Sequence, residues 1–126
     1  MDTYDPLDTP DPDDWLELDE GERLDLVLDH HRQARVELPN EQVHAVFHVI
    51  IENQAAMGDE VPTRATLERL MGEGLDRHDA IHAAGSVLAN HVHKIMSAGD
   101  AAGDMNEEYF KELEDLTAEA WLREFG

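Results

Sequence analysis

The 126-residue chain predicts an all-α fold, a compact bundle of four to five helices preceded by a disordered acidic N-terminal arm. Three observations carry that expectation. From Leu24 onward, apolar residues recur at spacings of three and four, the period of a helix with one buried face. No long run alternates with period two, so no sheet is predicted. Helix-starting residues (Asp, Asn, Thr) precede the apolar faces, and Gly or Pro follows them. A chain of this length buries one core and not two, so residues 15–126 are read as a single helical domain and 1–14 as the arm.

The arm carries Asp2, Asp5, Asp8, Asp11, Asp13 and Asp14 between Pro6, Pro10 and Pro12. Repelling carboxylates and prolines without donors make a poor helix, so this stretch is read as mobile. Trp15, Leu16 and Leu18 form the first docked segment. Asp19 and Glu22 give a D-x-x-E start for a helix bearing Leu24, Val27, Leu28 and His31 on one face and ending before Pro39. His30 or His31 either turns inward as a further ligand or caps the helix or meets solvent, and His31, which continues the apolar face, is the better placed. Asn40 caps a central helix that runs to Met57 and stops at Gly58. Its apolar face is Val43, Val46, Phe47, Ile50 and Ile51, with His44, His48 and Glu52 as a stripe along one edge and Asn53 and Gln54 completing a polar patch. Thr63 opens a short helix carrying Leu67, Leu70 and Met71, which breaks at Gly72-Glu73-Gly74. Asp76 caps the next helix, with Asp79 as its reciprocal partner. Ile81, Leu88, Val92 and Ile95 give that helix an apolar side, and the small Ala83, Ala84 and Gly85 admit a close neighbour. A loop over 98–104 leads to Asn106, which caps a last helix whose Tyr109, Phe110, Leu113, Leu116, Ala120 and Trp121 pack inward.

There is no cysteine, so disulfides and thiolate metal sites are excluded. A metal would have to be held by imidazole, carboxylate and water, which suits Zn, Mn, Fe, Ni or Cu and rules out iron–sulfur clusters. No apolar run approaches the roughly 20 residues of a membrane span, and no signal pattern opens the chain, so a cytoplasmic protein is expected. A formal charge of −21, with lysine only at Lys94 and Lys111, sets the chain against nucleic acid and anionic lipid. Such charge admits a basic protein partner, nucleic-acid mimicry or adaptation to salt, and most simply a solubilising surface. It does not specify the oligomeric state.

The chemistry lies in two histidine pairs. In helices, His44 and His48 stack on one face about 6 Å apart along the axis, and so do His78 and His82. Facing each other in a bundle, the pairs bring four imidazoles toward one point, with Glu52 beside them as a fifth ligand or as an acceptor orienting a histidine N–H. The expected cofactor is one divalent transition metal, Zn first, with Fe, Mn or Ni as alternatives. A carboxylate-bridged dinuclear centre would need more glutamates. His91 and His93 lie too far along their helix to share the ion. The alternative is a metal-free acidic protein-interaction module in which the same residues form a buried His/Glu polar network. His78-Asp79-Ala80-Ile81-His82 is also close to the H-E-x-x-H metalloprotease helix, although Asp79 serves equally well as a cap. An open coordination position would make any reaction metal-assisted hydrolysis or a redox step, and the sequence names neither. No nucleophile arrangement or nucleotide-binding loop is present.

The segments His44…His48…Glu52-Asn53-Gln54, a proline-containing loop, Arg69-Leu70 and Gly74-Leu75-Asp76-Arg77-His78-Asp79-Ala80-Ile81-His82-Ala83 resemble an uncharacterised family of small bacterial helical proteins. Its members carry H-x-x-x-H-x-x-x-E-x-Q and H-[ED]-x-x-H segments. The resemblance runs from about Trp15 to Ile95. It implies a compact helical domain and one site made by the five residues, and it brings no activity.

Overall fold

The computed structural model describes residues 3–33, 41–98 and 105–125, and among them it is helical without a strand. Among the described residues seven α-helices follow one another: α1 (Pro12–Glu17), α2 (Glu20–Gln33), α3 (Glu41–Ala56), α4 (Thr63–Gly72), α5 (Arg77–Ala98), α6 (Met105–Asp115) and α7 (Ala118–Phe125), with a 3-10 turn at Gly58–Glu60. Five of these helices, α2 to α6, have ten residues or more. None of the described helices is long and apolar enough to cross a membrane.

The helix ends follow from local chemistry. Asp19 Oδ1 accepts from the Glu22 N–H at 2.8 Å, and Asp76 Oδ1 accepts from the Asp79 N–H at 2.8 Å, the caps read from the sequence. Asn40 lies outside the described residues, and Asn106 falls inside a helix that already begins at Met105. After α4 the chain reverses through Gly74 at φ +112°. There the Gly74 N–H reaches the Met71 carbonyl at 3.1 Å and the Leu75 N–H reaches Leu70 at 3.2 Å, closing a Schellman motif.

α3 is the centre of the molecule, packed against α1, α2, α4 and α5. One apolar cluster joins Ile51, Leu67, Leu70, Ile81, Leu88 and Leu113 across α3 to α6. A second joins Tyr4, Trp15, Val27, Leu28, Ala45 and Val49 across the N-terminal segment, α1, α2 and α3. The face that α3 buries differs from the one its apolar residues suggest. Val43 and Val46 are 46% and 42% exposed, whereas His48 and Glu52 are 2% and 1% exposed. The reason is partnership at Glu52: Tyr4 and Arg77 satisfy a charge that would otherwise cost several kcal/mol to bury, while His48 packs against the rings of other histidines.

Residues 3–14, expected as a mobile arm, lie against the body. Tyr4 and Pro6 are buried, and the Arg77 guanidinium donates to the Pro6 and Asp8 carbonyls at 3.0 and 3.3 Å. Pro12, read as an obstacle to helix, takes the first position of α1, where its missing N–H costs nothing. Asp11 caps that helix by accepting from the Asp13 and Asp14 N–H groups. The last helix also departs from expectation, because it breaks at Leu116–Thr117 into α6 and α7. Arg69 donates to the carbonyls of Leu113, Glu114 and Leu116 at the end of α6, and Glu73 accepts from the Ala118 N–H at 2.8 Å. That clamp buries Ala118 and leaves Ala120 exposed.

Candidate metal centre

The histidines come from three helices. α2 carries His30 and His31 in its last turn, α3 carries His44 and His48 one turn apart, and α5 opens with His78 and His82 one turn apart. Their rings converge: His44 and His82 centroids are 4.9 Å apart, His48 and His78 5.2 Å, and His48 and His82 5.3 Å. His31 joins them at 4.9 Å from His44 and 5.0 Å from His48. Its position on the apolar face of α2 therefore delivers it to the same point as the two pairs, and it is 1% exposed.

Two sets of three imidazoles have ligand nitrogens within 4.8 Å of one another: His31, His48 and His78, and His44, His48 and His82. Among the described residues no carboxylate joins either set. Both ring nitrogens of His31, and Nε2 of His48 and of His78, are buried without a hydrogen-bond partner. Buried polar atoms are normally paired, and unpartnered imidazole nitrogens gathered this closely are a donor set a transition metal can take. His44 and His82 are partly satisfied already, by a hydrogen bond between their Nε2 atoms at 3.2 Å.

Burial also sets the protonation state. Desolvation, followed by the nearby imidazoles, pushes His31 and His82 down to about 4 from the ordinary 6.5. The same causes drive His48 far lower, and burial lowers His44 and His78 as well. Neutral imidazole is the form that can ligate a cation.

Glu52 is committed elsewhere. Arg77 Nη2 donates to its Oε1 at 2.6 Å and Arg77 Nη1 to its Oε2 at 2.8 Å, in an ion pair that is almost fully buried. Glu52 Oε2 also accepts the Tyr4 hydroxyl at 2.5 Å. Having given its one proton to Glu52, Tyr4 Oη can only accept from His48 Nδ1, 3.2 Å away. That assigns the His48 proton to Nδ1 and leaves the lone pair on the unpartnered Nε2. Glu52 thus reaches the histidines through Tyr4, as an orienting acceptor rather than from within either ligand set.

The neighbouring polar residues are structural. Asn53 Oδ1 accepts from Trp15 Nε1 at 2.9 Å and from Arg23 Nη1 at 3.0 Å, tying α1 and α2 to α3. Gln54 Oε1 accepts from the Thr63 and Tyr109 hydroxyls at 2.7 and 2.8 Å, tying α4 and α6 to α3. The Asp79 backbone answers the Asp76 cap, and its carboxylate belongs to neither triad. His91 stacks on Tyr109 with centroids 5.0 Å apart, away from the cluster. Sequence reasoning passed over Tyr4 and Arg77. A lone aromatic in an Asp/Pro-rich stretch, and the arginine beside the second histidine pair when a buried glutamate needed a cation, were the signals. A cleft of about 200 Å³, bordered by His44, Phe47, His48, Ile81 and His82, opens beside the cluster.

Comparison with protein-family models, curated proteins and solved structures finds no match to this chain.

Proposed function

We propose that this helical bundle binds one divalent transition metal at the histidine cluster around His48, with Zn as the first choice and Fe, Mn or Ni as alternatives. The ligands come from the two pairs, His44 with His48 and His78 with His82, supplemented by His31, and Glu52 supports them through Tyr4. The observation that carries this reading is the set of enclosed, unpartnered nitrogens on His31, His48 and His78, contributed by three separate helices. A metal-free polar network accounts for the His44–His82 hydrogen bond but gives those nitrogens nothing to bind. Three neutral nitrogens and water suit the borderline ions, whereas Mg and Ca take oxygen ligands.

An ion that binds only the folded state stabilises it by mass action, by about 4 kcal/mol at a thousandfold excess over Kd. Thermal unfolding followed with added Zn and then with chelator tests this. The melting temperature should rise and return, and His48→Leu should abolish the response. A melting temperature indifferent to Zn, Mn and Fe contradicts the reading.

A further inference from the structure

Five histidines are more than a single tetrahedral ion takes, and they divide into two triads. The triads differ in their surroundings. His44 and His82 border the open cleft with Phe47 and Ile81, and they hold each other by the Nε2–Nε2 hydrogen bond. His31 and His78 do not border that cleft, and their unpartnered nitrogens are enclosed. His48 belongs to both sets, and with Nδ1 held by Tyr4 its Nε2 is the nitrogen left without a partner. One lone pair serves one ion at a time, so the two triads cannot be filled together.

We propose that the cluster offers a single metal ion two overlapping stations, an outer one of His44, His48 and His82 beside the cleft and an inner one of His31, His48 and His78. The inference rests on the metal-binding reading above. An arriving ion takes the outer station by replacing the His44–His82 hydrogen bond, the donating ring losing its Nε2 proton to water in the cleft and regaining one at Nδ1. It passes inward by exchanging His44 and His82 for His31 and His78, while His48 holds it throughout. A shared ligand lets the ion change place without being released, and the reverse passage returns it to the cleft. Such a device belongs to a protein that takes up and hands on a metal, rather than to one that seals a structural ion.

Cobalt(II) is the probe, because its visible absorption reports coordination. His31→Leu and His78→Leu each remove the inner station alone, and His44→Leu and His82→Leu the outer alone, so each station is tested by two variants checked for helicity. The wild type should bind one Co per chain, and every station variant that folds should still bind one. The inner-station pair should share one spectrum, the outer-station pair another, and His48→Leu should bind none. Stopped-flow loading should slow in the outer-station variants and stay at the wild-type rate in the inner-station ones. Two ions per wild-type chain, or loss of Co from folded variants of either class, overturns the two-station proposal and leaves the metal site standing. Failure of the wild type itself to bind Co overturns both.

Discussion

Tyr4 contributes to the site in two separable ways. Its ring packs edge-on to His48 and against Trp15, while its hydroxyl links Glu52 to His48 Nδ1. Tyr4→Phe keeps the first and removes the second. The expected result is unchanged helicity with metal affinity lower by roughly 10–100-fold, read by chelator competition; equal affinity would show that the His48 tautomer needs no such support. Arg77 is tested through stability. Arg77→Met strands the Glu52 carboxylate in the interior and should cost about 3–5 kcal/mol in urea unfolding. Adding Glu52→Gln should recover part of the loss, and equal stability of single and double variants would contradict the pairing. Protonation gives a third test. Burial keeps His31 and His82 neutral from 6.5 down to about 4, so in that window the unfolded chain takes up protons that the folded chain refuses, and folding weakens as pH falls. Relief of carboxylate repulsion opposes this, so the comparison is between metal-free wild type and His31→Leu. Between about pH 7 and pH 5 the wild type should lose more stability, and parallel pH slopes would contradict the assignment.

At the scale of the element, what could be read from the sequence was what each helix declares locally. Asp19, Asp76, Gly58 and Gly74 stand at the ends their chemistry requires, and both histidine pairs share a face as their spacing demands. Hidden were features decided by distant partners. α3 turns its histidine stripe inward because Arg77 lies 25 residues away and Tyr4 44 away from their contacts. α6 ends where Arg69 gathers its terminal carbonyls, a contact spanning 44 to 47 residues. Arg69→Ala should therefore loosen the α6–α7 corner, lowering stability by about 1–3 kcal/mol and hydrogen-exchange protection chiefly in α7. Uniform loss of protection across all helices would show that the corner is not a separate unit.

Across the whole molecule, a buried polar set touches both apolar clusters, through Tyr4 of one and Ile81 of the other. α3 contributes to it, Glu52 and Arg77 form its ionic part, and the histidines form its neutral part. Burying so many polar groups is costly unless each has a partner, and the ion pair, Asn53 and Gln54 all have theirs. Both nitrogens of His31, and Nε2 of His48 and of His78, do not. The four paired histidines could be named from sequence because i,i+4 spacing is a local property. His31 could be named only as a candidate, because its inclusion depends on how α2 meets α3. The most direct measurement is the metal content of the untagged protein by elemental mass spectrometry, beside that of His48→Leu. Close to one transition-metal ion per chain is expected in the wild type and none in the variant. A folded wild-type protein that carries no metal and takes up none when Zn, Mn or Fe is supplied would contradict the metal-binding reading.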